Sequence, residues 1–115
     1  MAINKLDNYL KTYRKRAGIS QREMDYLLGA HVGSTTSRYE HFKRTPTLEN
    51  ALACEALFGA PVRELFAGVY VKAQRRTIQR ARALRKRLAA TGTAPKRKLI
   101  LLNHVAGDGD AKHVA

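Results

Sequence analysis

The sequence predicts an all-α protein: a compact bundle of five short helices, an extra basic helix after it, and a short tail. Three observations support this fold class. Apolar residues before residue 98 recur at three- and four-residue spacing, without the alternation typical of strands. Capping residues and glycines interrupt the first 65 residues at short intervals. Residues 70–90 contain neither Gly nor Pro and are rich in Arg, Ala and Leu, which favour helix.

The first two helices are predicted from periodicity and capping. The first helix ends at Gly18 and places three apolar residues on one face: Leu6, Leu10 and Tyr13. Ser20 and Glu23 form a capping box, so the second helix begins at Gln21 and stops at Gly29. Three residues of this second helix are expected to face inward: Met24, Leu27 and Leu28. Gly29 is expected to adopt a positive φ at a tight corner.

Three further helices complete the predicted bundle. The third runs to about Phe42, after four hydroxyl residues that can cap it: Ser34, Thr35, Thr36 and Ser37. Thr47 caps the fourth, which ends at Gly59 and is marked by Leu48, Ala51, Leu52 and Ala56. Pro61 fits the first position of a short fifth helix, whose apolar residues are Val62, Leu65 and Phe66.

Charge divides the chain of 115 residues into three predicted regions. The net charge is +13, of which residues 1–69 carry +3, residues 70–98 carry +11 without one acidic side chain, and residues 99–115 carry −1. A polyanion is therefore the expected partner. The regions are a domain at 1–69, a basic helix at 70–90 and a tail at 91–115, either flexible or a short dimerising strand.

The basic helix has a narrow apolar stripe at helical spacing, formed by Ile78, Ala81, Leu84 and Leu88. Five of its cations are candidate accessory contacts to phosphate: Lys72, Arg75, Arg76, Arg80 and Arg82. The alternative is a solvated helix that extends the bundle. In the tail, residues 99–102 (LILL) are interpreted either as an edge strand that pairs with a second copy or as a peptide packed on the bundle.

Composition excludes several classes of protein. A single cysteine cannot form an internal disulfide, which favours a reducing compartment. Neither a run of about 20 apolar residues nor the apolar stretch of a signal peptide is present, so no membrane partner and a cytoplasmic, nucleoid-associated location are expected. Cys54 is interpreted as a buried structural thiol rather than a redox switch.

No catalytic, metal or cofactor site is predicted. The four histidines lack Cys or His neighbours at metal-ligand spacing, and Asp108 and Asp110 lack the further carboxylates of a calcium loop. The sequence shows neither a nucleophile with a histidine and an orienting carboxylate nor a phosphate-binding glycine loop. The protein is therefore expected not to be an enzyme.

Two short helices joined through Gly29 carry the pattern that predicts function. Residues 21–29 (QREMDYLLG) and 36–40 (TSRYE) resemble the helix-turn-helix of lambda-repressor and Cro-like transcription regulators, the XRE family. Residues 10–21 look like that family's first helix and the beginning of its second. Residues 46–49 (PTLE) and 56–66 (ALFGAPVRELF) look like its last two helices. The resemblance extends over roughly residues 6–68.

The resemblance implies that the third helix enters the major groove while the second approaches a phosphate. It gives eight candidate DNA-binding residues: Gln21, Arg22, Ser34, Thr35, Ser37, Arg38, Lys43 and Arg44. Arg38 is the candidate for a bidentate contact to guanine. Thr36 and Tyr39 are expected to turn inward. Structural alternatives remain, since the hydroxyls can simply cap a helix, Arg38 can pair with Asp25 or Glu40, and Lys43 and Arg44 can be solvated loop charges.

Two departures from the family pattern affect these assignments. Asp25 stands where the family usually has a small residue, at the contact between the two motif helices. Its carboxylate would need a partner such as Arg22 or Arg38, or a place at the rim. The spacing from Gly29 to Glu40 is one residue longer than the common one, which places an inserted residue within 31–33 and leaves two registers for the start of the third helix.

The predicted function is sequence-specific binding of double-stranded DNA by a transcriptional regulator, a repressor-like homodimer on a two-fold operator. Two alternatives come from other classes. One is an antitoxin-like protein of the same fold whose main partner is another protein. The other is a general basic nucleic-acid-binding or RNA-binding protein, for which residues 70–98 alone would suffice.

Overall fold

A computed structural model describes residues 6–30 and 33–107. These residues contain seven helices and no strand, which confirms the all-α prediction. The chain divides into two compact units, Met1–Val71 (the first unit) and Lys72–Ala115 (the second unit). The helices are α1 (Leu10–Ala17), α2 (Gln21–Leu27), α3 (Thr35–Glu40), α4 (Leu48–Phe58), α5 (Val62–Leu65), α6 (Ala67–Thr91) and α7 (Lys96–Ala106).

Local capping sets the beginning of α2, as predicted. The Ser20 hydroxyl accepts from the Glu23 N–H at 3.0 Å, and the Glu23 carboxylate accepts from the Ser20 N–H at 2.8 Å. After α2 the chain turns at Gly29, whose φ of +70° is a conformation that side chains with a Cβ disfavour. The predicted insertion includes His31 and Val32, which lie outside the described residues; Gly33 precedes the turn into α3.

The limits of the first, third and fifth helices differ from prediction by one to four residues. The first helix begins at Leu10 rather than near Leu6, and α3 ends at Glu40, because Phe42 leaves the helical region with a φ of +61°. Pro61 precedes α5 instead of occupying its first position. Its extended backbone presents a carbonyl that accepts from two N–H groups of α5, so it acts as the N-cap.

The core of the first unit contains side chains from α1 to α5 and from the start of α6. Its buried members are Leu10, Met24, Tyr39, Ala51, Cys54, Ala60, Leu65 and Phe66. Two predictions for apolar side chains are wrong: Leu6, predicted on the helical face of Leu10, is 50% exposed, and Leu27, predicted to face inward, is 46% exposed. Leu6 lies outside the helix that would have aligned it with Leu10, and Leu27 lies at the edge of the face that Met24 and Leu28 direct to the core.

The basic helix begins three residues earlier than predicted, because its first turn is part of the first unit. The Gly68 N–H donates to the Leu6 carbonyl at 2.9 Å. A Cβ at Gly68 would lie 2.7 Å from the Asp7 Cα, closer than atoms can approach, so this crossing requires glycine. The helix therefore continues across the predicted boundary between residues 69 and 70.

Of the two interpretations of residues 99–102, the edge strand is wrong, because these residues lie in α7. Leu102 and Ala106 are buried against Ala81 of α6, with Leu88 and Val105 at the edge of the cluster. The spacing of four between Leu102 and Ala106 is helical, and the four-residue apolar run concealed it. The tail is consequently helical over residues 96–106 rather than flexible or extended.

Candidate nucleic-acid interface

The start of α3 is held by a carboxylate from α2. Asp25 Oδ1 accepts from the Thr36 N–H at 2.8 Å and from the Thr36 hydroxyl at 2.6 Å, and both residues are buried. The Ser34 side chain, which precedes the helix, makes no capping hydrogen bond. Asp25 thus has a partner, as expected, but that partner is Thr36 rather than Arg22 or Arg38. Two hydrogen bonds from Thr36 satisfy the carboxylate and fix α3 against α2.

The end of α3 is held by a buried ion pair with α1. Arg14 Nε lies 2.5 Å from Glu40 Oε2, and a second guanidinium nitrogen lies 3.2 Å from Glu40 Oε1. Arg14 also donates to the Ile19 carbonyl at 2.8 Å. The Gln21 amide adds a third donor to Glu40 at 3.0 Å. Glu40 thus ties α1, the start of α2 and the end of α3 together.

Tyr39 provides a third attachment on the inner side of α3. Its hydroxyl accepts from the Asn50 side chain at 2.8 Å, and its carbonyl accepts from the Asn8 side chain at 2.9 Å. The inward predictions for Thr36 and Tyr39 are confirmed, at 0% and 2% exposure. In the described part of the chain, every buried side-chain nitrogen or oxygen has a hydrogen-bond partner. Helix α3 is therefore fixed along its inner side by polar contacts as well as packing.

The opposite side of α3 faces solvent. Ser37 and Arg38 follow Ser34 by three and four residues, and His41 follows Ser37 and Arg38 by four and three residues, which places all four on one side of the helix. Arg38 and His41 are exposed, and Ser34 and Ser37 are partly exposed. His41 Nδ1 lies 2.7 Å from the Ser37 carbonyl and 3.3 Å from its hydroxyl. At the sequence level His41 was weighed only as a possible metal ligand. The spacing of His41 from Ser37 and Arg38 nevertheless indicates this face of the helix.

The other predicted DNA-binding residues fall into two groups. Arg22, Lys43 and Arg44 are exposed, and Thr35 is partly exposed. Gln21 is partly buried, and its amide nitrogen is directed to Glu40. The alternative pairing of Arg38 with Asp25 or Glu40 does not occur, because both carboxylates are held by other partners and Arg38 remains exposed.

Two residues that organise this interface were missed at the sequence level. Arg14 and Glu40 are charged, and charged residues are rarely buried unless they are paired. A usable signal did exist for Arg14, which follows Leu10 by four residues and so falls on the buried face of α1. Nothing local indicated that Glu40 would be its partner, since 26 residues separate them.

Three further findings concern the Cys54 thiol, metal-ligating side chains and the character of the helices. Burial raises the pKa of the Cys54 thiol from 9.0 to about 11, which keeps it protonated at neutral pH. Over residues 6–30 and 33–107, no cluster of His, Cys, Asp or Glu has the arrangement of a metal site. None of the helices in these ranges combines the length and the apolar character needed to cross a bilayer.

Comparison of the chain with family models, curated proteins and solved structures finds no match. The assignment of an interface therefore depends on the residues and contacts of this chain alone.

Proposed function

We propose that the protein binds double-stranded DNA through α2 and α3 and acts as a transcriptional regulator. The observation that carries this proposal is the two-sided character of α3. Its inner side is held by Asp25, Glu40 and Tyr39, and its outer side presents hydroxyl, guanidinium and imidazole groups. The outer groups are donors and acceptors of the kind that read base edges.

The dimensions of a helix suit this role. An α-helix with its side chains is about 10–12 Å across, and the major groove is about 12 Å wide. In the proposed complex Arg38 donates two hydrogen bonds to guanine O6 and N7, with Ser37 and His41 beside it. Lys43 and Arg44 follow α3 and contact phosphate, as Arg22 does from α2. These phosphate contacts position the helix and carry no sequence information themselves.

The resemblance to lambda-repressor and Cro-like regulators supports a dimer as the DNA-binding form. A single α3 reaches only a few base pairs, so two copies on half-sites about 34 Å apart would supply the missing specificity. In this proposal the protein represses by occupying a two-fold operator.

The test is selection of bound duplexes from a randomised DNA pool at about 150 mM salt, with competitor tRNA present. We expect one enriched motif. Arg38→Ala should then lower affinity for that motif by roughly 5- to 150-fold, the equivalent of ~1–3 kcal/mol, and relax one base position. Arg63→Ala removes an exposed cation of α5 and serves as the matched control.

Three results would contradict the proposal. Enrichment of no motif, with equal binding to tRNA, would favour the general nucleic-acid-binding alternative. An Arg38→Ala variant that behaves like Arg63→Ala would show that α3 does not read bases. Purification with a bound protein and without DNA affinity would favour the antitoxin-like alternative.

A further inference from the structure

The second unit has an unusual charge balance. Residues 72–107 contain eleven Lys or Arg side chains and not a single Asp or Glu. Helix α6 alone carries eight of these cations within residues 72–87. Like charges at this density repel one another, so the unit gains stability from any partner that neutralises them.

The packing of α7 distinguishes two groups among the cations of α6. Ala81 and Leu88 face α7. Two arginines are directed to the C-terminal part of α7: Arg82 donates to the Ala106 carbonyl at 3.2 Å, and Arg85 donates to the Asn103 side chain at 3.2 Å. These two side chains stabilise the contact between α6 and α7, because they donate hydrogen bonds to acceptors near the end of α7.

A second group lies on the side of α6 away from α7. Arg76, Arg80 and Arg87, which we call the outer stripe, are four and seven residues apart and all exposed. The stripe extends for about 16 Å along the helix axis, at 1.5 Å per residue. Ala83 lies on the same side, so a small side chain separates Arg80 from Arg87 and leaves both guanidinium groups accessible.

We propose that the outer stripe binds the phosphate backbone of double-stranded DNA independently of sequence. The inference deepens the proposed function, on which it rests for the identity of the polyanion. Each strand of a duplex presents a phosphate about every 3.4 Å of axis, so 16 Å corresponds to about five phosphates on one strand, of which the three arginines contact about three. Guanidinium groups suit this role because they donate two parallel hydrogen bonds to phosphate.

The side chains next to the outer stripe disfavour a lipid surface as its partner. A helix that lies on a membrane needs a broad apolar face beside its cations. The exposed positions between the stripe arginines include Gln79, Ala83 and one large apolar side chain, Leu84, which is 37% exposed and does not by itself form a broad apolar face. The stripe therefore favours an anionic partner that requires no insertion of apolar side chains, such as a phosphate backbone.

Counterion release makes the proposal measurable. Each phosphate neutralised contributes about 0.9 to the slope of log affinity against log salt for duplex DNA. Three contacts contribute about 2.7. Loss of the stripe should thus reduce the magnitude of this slope by two to three, and it should weaken binding equally to every DNA sequence.

The experiment uses the full chain and a variant with three substitutions: Arg76→Gln, Arg80→Gln and Arg87→Gln. The control has Lys11→Gln, Lys15→Gln and Arg63→Gln, three exposed cations of the first unit, so both variants have the same net charge. Gln is a good helix former, and circular dichroism checks that both variants fold. Fluorescence anisotropy measures binding to a random-sequence duplex between about 50 and 300 mM KCl.

We expect the stripe variant to bind the duplex at least tenfold more weakly at about 150 mM salt, with a slope lower by two to three. The control should change the slope by less than one. Equal slopes for the stripe variant and the control would overturn the proposal. So would a stripe variant that loses binding to vesicles of anionic lipid while keeping its duplex affinity.

The outcomes separate this inference from the proposed function. Arg38→Ala changes the ratio of selected-sequence to random-sequence affinity, and the stripe variant leaves that ratio unchanged. A stripe-dependent slope without any selected motif would support the inference and refute sequence-specific regulation. A selected motif together with an unchanged slope in the stripe variant would support sequence-specific binding and refute the inference about the stripe.

Discussion

The two units use their charged residues in opposite ways. In the first unit, a buried ion pair between Arg14 and Glu40 lies beside fully buried large side chains such as Leu10 and Met24. In the second unit, the buried cluster of the described residues consists of Leu102 with two alanines, and the outer stripe of three arginines is exposed. Internal polar contacts thus help to organise the first unit, whereas the three arginines of the outer stripe in the second unit are exposed to solvent.

This difference predicts how each unit responds to substitution. A buried polar contact leaves an unsatisfied group when one partner is removed, so the first unit should be sensitive to single changes at charged positions. The second unit should tolerate changes at its exposed cations and should be sensitive only at its few apolar contacts.

The largest effect is expected from Glu40→Ala. This change leaves the Arg14 guanidinium buried without its carboxylate, which should lower the free energy of unfolding by about 3–5 kcal/mol. Urea denaturation followed by circular dichroism measures it. Glu49→Ala, at an exposed position of α4, is the control and should lower the free energy by less than about 1 kcal/mol. Similar losses in both variants would show that the ion pair does not organise the first unit.

A smaller loss is expected from Asp25→Ala, which deprives the Thr36 N–H and hydroxyl of their acceptor. The expected decrease is about 2–4 kcal/mol, because two buried donors lose their partner. Asp25→Asn keeps an oxygen acceptor of similar shape and should lower stability less. Hydrogen exchange of the α3 amides provides a local readout, and unchanged protection in Asp25→Ala would exclude the predicted anchoring role.

In the second unit, Leu102→Ala removes the largest side chain of the buried cluster. We expect a loss of about 2 kcal/mol, at the low end for such a truncation, since the site is small and close to solvent. The α7 amides should exchange faster while those of α1 to α4 keep their protection. Ile100→Ala, at a side chain 59% exposed, is the matched control and should leave exchange unchanged. Faster exchange throughout the chain would mean that the units do not open independently.

The smallest expected effect is the pH dependence of the free energy of unfolding that Cys54 contributes in the first unit. Because its pKa is raised from 9.0 to about 11 in the folded state, the unfolded chain loses the thiol proton first as pH rises. The contribution of this thiol is constant below about pH 9 and decreases between 9 and 11, by about 1 kcal/mol at pH 10. The difference in unfolding free energy between the protein and Cys54→Ala, measured from pH 7 to 10, isolates this term from tyrosine titration. A difference independent of pH would contradict the burial of the thiol.

The sequence by itself determined the features that depend on neighbouring residues. The capping box at Ser20, the turn at Gly29 and the caps of α4 involve groups within about four residues of one another, so their residue types are sufficient to predict them. Helical periodicity identified most helices for the same reason. The uneven distribution of charge is a property of the sequence and needed no structure.

The tertiary structure alone decided which polar groups meet. Asp25 and Thr36 are 11 residues apart, Arg14 and Glu40 are 26 apart, and Asn8 and Tyr39 are 31 apart. Pairing over such separations depends on how the helices pack, and the spacing of neighbouring residues does not predict that packing. The same reason explains why the sequence left an edge strand open for residues 99–102. The contact of Leu102 and Ala106 with Ala81 favours helix there, and Ala81 lies more than twenty residues earlier in the chain.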